Sequence, residues 1–278
     1  MQHLTTIPTI PEYDQLLETC DFREMEQYSA SFLTTNFQAL APYRRKWTRD
    51  PFHQWSRQWE YPYVFSKIRG FLSSGGISCA SILDAGSGAT FFPYFVKSQM
   101  PRSSVTCVDS DERLCPVFEQ INKHSQAKVN FAPVDITSIP FDDGSFDIIY
   151  CISVLEHLKG HATIIREFRR LLRDRGALIA TFDISVDGSR DISIPRAQQL
   201  VDDICRIFPN DHGRPVNIAE ALRSPNILTT TAMARRDRKL VPWRNPITAI
   251  ASTILKRHLP RSLGYPKLTC LAYVCVKA

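Results

Sequence analysis

Apolar positions between residues 81 and 185 alternate between two periods. Short apolar runs of strand length are separated by segments whose apolar residues recur every three or four positions. The runs predict five strands: SILDA, SSVTCVD, VNFAPVD, FDIIYCI and ALIATFDI. The segments between them predict three helices, marked by Phe91, Phe92, Phe95 and Val96, by Leu114, Val117, Phe118 and Ile121, and by Ile164, Ile165, Phe168, Leu171 and Leu172. This alternation is typical of βαβ units, and it predicts an α/β fold with a doubly wound parallel sheet.

The flanking stretches follow other patterns. Residues 1–75 carry helical signals and the aromatic cluster PFHQWSRQWEYPYVFSKIRGFL, which predict a helical cap or lid that ends at the breaker SSGG. After Ser185 one amphipathic helix is predicted, marked by Ala197, Leu200, Val201, Ile204, Ile207 and Phe208. The closing LTCLAYVCVKA predicts a central or protected strand. We therefore divide the chain into a cap, residues 1–75, and a main domain, residues 76–278, with a substrate-covering insert at about 186–265.

The positive charge is concentrated in the carboxy-terminal third. The chain of 278 residues has a formal charge of +6, and its basic excess flanks the apolar stretch PITAIASTIL; the residues are Arg235, Arg236, Arg238, Lys239, Arg244, Lys256, Arg257 and Arg261. Contact with anionic lipid is one interpretation of this region. We favour a solvated basic face around a substrate-covering helix. RNA binding is less favoured, because the aromatic cluster lies far from the basic stretch in sequence.

The eight cysteines give no metal-binding pattern. No pair has C-x-x-C spacing, no His-x3-His lies nearby, and several cysteines stand within apolar runs, as reduced buried cysteines do. We therefore expect no metal site and a reducing, cytoplasmic location. The amino terminus lacks a signal-peptide pattern and no apolar run reaches about eighteen residues, so we expect a soluble protein without stable membrane insertion.

The first chemical motif is Asp84-Ala85-Gly86-Ser87-Gly88, directly after a predicted strand and before a predicted helix. Glycines at such a turn let backbone approach a ligand. A dinucleotide site requires G-x-G-x-x-G, whereas Phe91 occupies the third position after Gly88. The bulky side chain argues against a nicotinamide dinucleotide.

The motif resembles that of class I S-adenosylmethionine-dependent methyltransferases, in which an acidic residue precedes G-x-G-x-G at the end of the first strand. Asp84, Gly86 and Gly88 match this pattern, and Thr90 stands where the third glycine is commonest. Further similarities run in order over residues 81–185. The resemblance implies a Rossmann-like, seven-stranded sheet that binds S-adenosylmethionine and releases S-adenosylhomocysteine.

The resemblance also implies which residues bind the cofactor. Asp109, with Ser110 after it, ends the second strand and would accept hydrogen bonds from both ribose hydroxyls; Asp111 is the fallback. Asp135 follows the third strand and would accept from the adenine amino group, with Ile136 covering the ring.

The segment FDDGSFDIIYCISVLEHL is similar to the fourth-strand signature of the family's small-molecule branch, including Glu156-His157. Backbone at Cys151 and Ile152 would line the methionine end of the cofactor. His157 is the candidate general base, although many of these enzymes act by alignment alone; His161 is a weaker candidate.

The aromatic cluster has two interpretations. Its residues would either form a substrate or cofactor lid, with ring faces beside the sulfonium, or belong to the core. The candidate lid residues are Trp55, Arg57, Trp59, Tyr61 and Tyr63.

The resemblance implies methyl transfer to an oxygen or nitrogen of a small metabolite or natural product. The alternatives are methylation of a lipid-linked or polysaccharide precursor, suggested by the basic and apolar region 235–261, and a regulatory protein that binds the cofactor without catalysis. We expect no nucleic-acid partner, and at most peripheral membrane contact.

Overall fold

The computed structural model describes residues 4–44, 50–190, 192–209, 216–241 and 266–278. Its strands, in chain order, are β1 Leu4–Thr6, β2 Ser81–Ala85, β3 Ser104–Asp109, β4 Asn130–Pro133, β5 Phe146–Ile152, β6 Leu172–Ser185, β7 Ile192–Ser193 and β8 Leu268–Val276. The helices of the first half are α1 Ile10–Leu17, α2 Cys20–Thr35, α3 Phe37–Arg44, α4 Arg57–Gly75, α5 Phe92–Gln99 and α6 Cys115–His124. Those of the second half are α7 His161–Leu171, α8 Ile194–Ile207, α9 Ile218–Ala221 and α10 Thr230–Arg236.

The strands form a single sheet in the order β1-β8-β6-β5-β2-β3-β4, and β7 pairs with β6 beside this path. Strands β2 to β6 pair in parallel, while β8 is antiparallel to both β6 and β1. The predicted α/β fold and its five parallel strands are confirmed. The closing segment also lies inside the sheet, between β6 and β1, as its continuous apolar character predicted.

The predicted strand number, seven, is wrong, because the sheet has eight strands. The amino-terminal β1 lies at the sheet edge, where Leu4 pairs with Val274. A three-residue strand of sequence LTT is too short and too polar to give a periodic signal. The stretch predicted as a helical cap therefore contains α1 to α4 and also one strand of the sheet.

Two apolar layers cover the two faces of the sheet. Ile82 and Ile148 belong to the cluster beneath α2, α4, α5 and α6. Leu83 and Ile149, the next residue along each strand, belong to the cluster beneath α7 and α8. Successive strand residues point to opposite faces, so strands buried on both sides are apolar throughout.

Local sequence sets the ends of the cap helices. Thr9 and Glu12 form a reciprocal capping box at the start of α1, and Thr19 accepts from the Phe22 amide at the start of α2. Helix α4 ends at Gly76, which has a left-handed conformation, as its position in the predicted breaker suggested. No helix among the described residues has the length and apolarity needed to cross a membrane.

Candidate functional site

A cavity of about 640 Å³ opens at the carboxyl ends of the parallel strands. From β2 the chain continues outward through β3 and β4, and then returns to the other side of β2 to form β5. Ligands of doubly wound sheets bind at such a switch point, because the loops on its two sides diverge. The cavity lies at this point, between the glycine turn after β2 and the segment after β5.

The glycine turn has a backbone that other residues adopt only with strain. Gly86 and Gly88 have φ angles of 77° and 53°. A Cβ atom at Gly86 would lie 2.6 Å from the Val154 side chain, and one at Gly88 would collide with the Tyr43 hydroxyl. The Gly86 and Ser87 amides both donate to the Val108 carbonyl, at 2.8 and 3.0 Å, which fixes the turn against β3. Backbone is therefore exposed to the cavity where side chains would otherwise fill it.

Asp84 supplies a buried carboxyl beneath this turn. It is 5% exposed, and burial raises its pKa to about 8. The carboxyl lines the cavity and is largely protonated at neutral pH. A cationic ligand group beside it would favour its ionised form.

Asp109 holds the glycine turn from the end of β3. Its two carboxylate oxygens accept from the amides of Gly88 and Asp111, each at 3.0 Å, and its side chain lines the cavity together with Ser110. The fallback residue Asp111 is engaged elsewhere, since both of its oxygens accept from the Arg113 guanidinium at 2.6 Å. Asp109 is therefore the carboxylate that the fold brings to the cavity.

Asp135 and Ile136 line the cavity beyond the end of β4. Asp135 is exposed and accepts from the Thr137 amide and hydroxyl at 2.8 and 2.7 Å, and these bonds lower its pKa. Ile136 is buried. An ionised acceptor and an apolar side chain thus lie together at the β4 end of the cavity.

The segment after β5 forms the opposite wall. Ile152, Ser153 and Val154 line the cavity, whereas the Cys151 side chain is fully buried in the core. Ser153 has a left-handed φ of 48°, which is uncommon for a residue with a side chain. Of the predicted pair, Ile152 is brought to the cavity and Cys151 supports it from below.

A buried polar network attaches the cap to this wall. Glu60 of α4 is fully buried, and its Oε1 accepts from the hydroxyls of Ser153 and Thr181, at 2.8 and 2.6 Å. Its Oε2 accepts from Arg57 Nη1, which also donates to Ser153. Four side chains from α4, β6 and the residue after β5 are thereby joined. The sequence gives little indication of this network, because only the spacing of Arg57 and Glu60, three residues apart, indicates an ion pair.

Comparison with known proteins agrees with this geometry. Residues 83–180, which contain the glycine turn, Asp109 and the β5 wall, match the family model described as "Methyltransferase domain". This match identifies residues 83–180 as a methyltransferase domain, and it supports the resemblance to class I S-adenosylmethionine-dependent methyltransferases.

Individual relatives of this chain are distant. The tRNA U34 carboxymethyltransferase of Nautilia profundicola is 26% identical over 41% of this chain and 37% of that protein. The malonyl-[acyl-carrier protein] O-methyltransferase of Geobacter sulfurreducens is 26% identical over 52% of this chain and 55% of that protein. A putative sarcosine dimethylglycine methyltransferase from Galdieria sulphuraria has a TM-score of 0.48 at 15% identity, over 78% of this chain and 86% of that one.

Two facts follow from these comparisons. The chain spans only about a third to just over half of the length of these curated relatives. The expectation that no nucleic acid is involved finds no support, because one relative carries tRNA in its name. The methyltransferase domain is identified, and the acceptor is not.

The candidate lid residues divide into two groups. Arg57 and Tyr61 line the cavity, and Tyr61 stacks on Phe92 with ring centroids 4.8 Å apart. Trp55 and Trp59 are buried in a separate apolar cluster, and the Trp59 ring stacks on Tyr63 at 4.5 Å. Further cap residues that the sequence did not single out cover the cavity: Leu33, Leu40, Tyr43, Pro51 and Gln54.

The two candidate bases also separate. His157 is the last residue of the short 3-10 helix Leu155–His157. It is exposed and lines the cavity. His161 is buried at the start of α7, where its Nε2 lies 2.9 Å from the Leu155 carbonyl. The fold thus brings His157 to the site and gives His161 a structural contact.

The basic region is only partly described. Arg236 pairs with Asp14 at 2.5 Å and lies over the Tyr13 ring. Arg235, Arg238 and Lys239 are exposed. Arg244, Lys256, Arg257, Arg261 and the stretch PITAIASTIL lie outside the described residues.

His53 joins two parts of the cap beside the cavity. Its Nδ1 lies 2.5 Å from Asp50 and its Nε2 lies 2.9 Å from Glu26 of α2. The hydrogen bond with Asp50 raises the pKa of His53 to about 9, with a further contribution from Glu26 and against an opposing effect of burial. Since this value lies above the ordinary 6.5, the protonated imidazole stabilises the fold fully below pH 6.5, and the contribution disappears as the pH rises through 9.

We therefore expect His53→Gln to lower the free energy of unfolding more at about pH 6 than at about pH 10. Urea titrations of variant and parent at both values measure the difference. His124→Gln, at an exposed histidine of α6, is the matched control. An equal loss at both pH values would show that the imidazole charge contributes nothing.

Proposed function

We propose that this protein binds S-adenosylmethionine in the cavity and transfers its methyl group to an oxygen or nitrogen atom of a small metabolite or natural product. The observation that carries the proposal is one cavity at the switch point, lined by a glycine turn, by carboxyl groups at the ends of β2, β3 and β4, and by cap side chains. Cofactor and acceptor would then meet in a partly covered space. The family match supports the cofactor, and the cap supports a small acceptor.

The residues present fit this cofactor. Gly86 and Gly88 pack too closely against Val154 and Tyr43 to carry a Cβ, and both present backbone to the cavity, where a ligand can approach it. Asp109 has two oxygens for a vicinal diol, and Asp135 with Ile136 offers an acceptor and an apolar surface for the adenine. Asp84 and the segment from Ile152 would lie beside the methionine end. When bound, the cofactor supplies an electrophilic methyl group on a positively charged sulfur.

The chain's own contribution is to bind, orient and cover. Tyr61, Tyr43 and Leu40 reduce water access from the cap side, which strengthens electrostatic contacts inside. Ser153, held by Glu60, fixes the backbone at the end of β5. Aligning the acceptor with the methyl carbon accounts for much of the rate in such reactions. His157 would accept the acceptor's proton.

Replacing His157 by alanine tests that last role. We expect turnover to fall about 10²- to 10⁴-fold, the contribution of general acid–base catalysis, while the affinity for S-adenosylhomocysteine stays unchanged. Steady-state kinetics and calorimetry measure the two quantities. A variant with the parent's turnover would remove His157 from the mechanism.

Replacing Asp109 by alanine tests cofactor binding. We expect affinity for S-adenosylhomocysteine to weaken by about 1.5–3 kcal/mol, because a charged acceptor of hydrogen bonds is lost. Asp111→Ala is the matched control, since Asp111 pairs with Arg113 and does not line the cavity. If Asp111→Ala weakened S-adenosylhomocysteine binding and Asp109→Ala did not, the ribose contact would belong to Asp111.

One experiment identifies the acceptor. The purified protein is incubated with methyl-labelled S-adenosylmethionine and a metabolite extract, and the compound that gains the label is identified by mass spectrometry. Heat on adding S-adenosylhomocysteine, without labelled product from any acceptor class, would instead favour a cofactor-binding regulatory protein. Absence of that heat, with binding of a nicotinamide dinucleotide, would contradict the proposal.

The same assay covers the other acceptors. A lipid-linked or polysaccharide precursor is tested with a membrane extract, and transfer RNA is included because a relative is named for it.

The eight cysteines are all free, which supports a reducing location such as the cytoplasm.

A further inference from the structure

The ionisable side chains that line the cavity are unevenly distributed. The acidic ones lie at or just after the carboxyl ends of β2, β3 and β4; they are Asp84, Asp109 and Asp135. The basic ones are Arg57, His157 and Lys159, and the last two belong to the segment after β5. The cavity therefore has an acidic end at the proposed cofactor site and a basic end beside β5.

The hydrogen bonds of Arg57 place it at the basic end of the cavity. Its Nη1 donates to Ser153, directly after β5, and to Glu60, which in turn accepts from Thr181 of β6. In the sheet order β4-β3-β2-β5-β6, these contacts are at the opposite side of the switch point from Asp109 and Asp135. The methionine end of the proposed cofactor also lies at the segment from Ile152, so Arg57 lies where that end meets the space left for the acceptor. Loss of S-adenosylhomocysteine affinity in an Arg57 variant would therefore assign the guanidinium to the cofactor's own carboxylate and overturn the inference below.

The guanidinium has donors to spare. Nη1 is engaged by Glu60 and Ser153, and among the described residues no atom accepts a hydrogen bond from Nε or Nη2. The Arg57 side chain is only 22% exposed, and the Tyr61 ring lies 6.0 Å from its Cζ. Glu60 holds the group from behind, so its Nε and Nη2 remain as a fork that matches two oxygens of an oxyanion.

Two nearby carboxyls, those of Glu60 and Glu156, leave this fork available, while Asp183 also acts electrostatically on Arg57. Glu60 is saturated by Arg57, Ser153 and Thr181. Burial raises the pKa of Glu156 to about 8, so this carboxyl is mostly neutral at pH 7 and adds little opposing charge.

We propose that Arg57 is a specificity-determining residue that binds an oxyanion group, a carboxylate or a phosphate, on the methyl acceptor. The inference rests on the proposed function, since it assigns the chemical class of the acceptor at the same site. Lys159 adds positive charge to the same end of the cavity. A neutral or cationic acceptor would leave buried N–H groups of Arg57 without acceptors, which opposes its binding.

The wild-type protein gives the first test. Calorimetry with S-adenosylhomocysteine comes first, because absence of heat contradicts the proposed function rather than this inference. A metabolite extract is then separated on an anion exchanger before incubation with methyl-labelled S-adenosylmethionine. We expect label in the retained, anionic fraction. Phosphatase treatment of that fraction abolishes labelling for a phosphate and leaves it intact for a carboxylate.

Cofactor binding with label only in unretained compounds, or with no labelled compound at all, overturns the proposal.

The second test uses Arg57→Lys, which keeps a charge for Glu60 and loses the fork. We expect its KM for the anionic acceptor to rise at least about tenfold, a loss of roughly 1.4 kcal/mol, with S-adenosylhomocysteine affinity within about twofold. Arg69→Lys, on the same helix and paired with Asp21, is the matched control and should keep both values. An unchanged KM in Arg57→Lys also overturns the proposal.

Discussion

Replacing Glu60 by alanine should lower the free energy of unfolding by about 3–5 kcal/mol, the cost of breaking a buried ion pair from one side. Glu60 is fully buried and accepts from Arg57, Ser153 and Thr181. The alanine variant leaves the Arg57 charge and two hydroxyls without that acceptor. Urea denaturation followed by circular dichroism measures the loss.

The control for this stability experiment is Glu119→Ala. Glu119 is exposed on α6, so its removal should change the free energy of unfolding by less than about 0.5 kcal/mol. A similarly small change in Glu60→Ala would show that the network contributes nothing to the attachment of the cap. Cofactor affinity measured on the folded fraction then reports whether the network also orients Ser153.

Replacing Gly86 by alanine should weaken S-adenosylhomocysteine binding by more than about 100-fold, or roughly 2.8 kcal/mol. The residue has a φ of 77°, and the added Cβ would lie 2.6 and 2.8 Å from the two methyl carbons of Val154. Both the turn and the β5 wall would have to move. These two surfaces form opposite sides of the proposed cofactor site, so their displacement should weaken binding. Calorimetry on the variant measures the affinity for S-adenosylhomocysteine.

Gly188→Ala separates backbone strain from this collision. Gly188 has a φ of 69°, and an added Cβ there would meet no atom within 4 Å. It follows β6 and does not line the cavity. We expect its stability to fall by about 1–2 kcal/mol with cofactor affinity unchanged. Parent-like affinity in Gly86→Ala would contradict the role of this turn in cofactor binding.

Much of the candidate site could be predicted because it depends on local order along the chain. Asp84, Asp109 and Asp135 each follow a strand whose apolar run is evident in the sequence. In a parallel sheet the carboxyl ends of neighbouring strands meet at one edge, so residues far apart in sequence come together without further information. The glycine turn was predictable for the same reason.

The cap was less predictable, because its residues share one composition and differ in environment. Arg57 and Tyr61 line the cavity, whereas Trp55, Trp59 and Tyr63 pack with a different cluster. Helical spacing alone does not tell which face of α4 meets the site, because both faces of this buried helix carry large apolar residues. Only the packing of α4 against the sheet decides which residues of the aromatic cluster line the cavity.

The sequence by itself determined the fold class and the order in which the motifs follow the parallel strands. It also determined which acidic residues reach the switch point. All of these follow from hydrophobic periodicity and chain direction. The tertiary structure alone decided that Leu4–Thr6 joins the sheet beside β8, and that Glu60 connects Arg57 with Ser153 and Thr181. Both depend on pairings across long separations in sequence. Such contacts are made by surfaces that meet only after the chain has folded, and no local pattern encodes them.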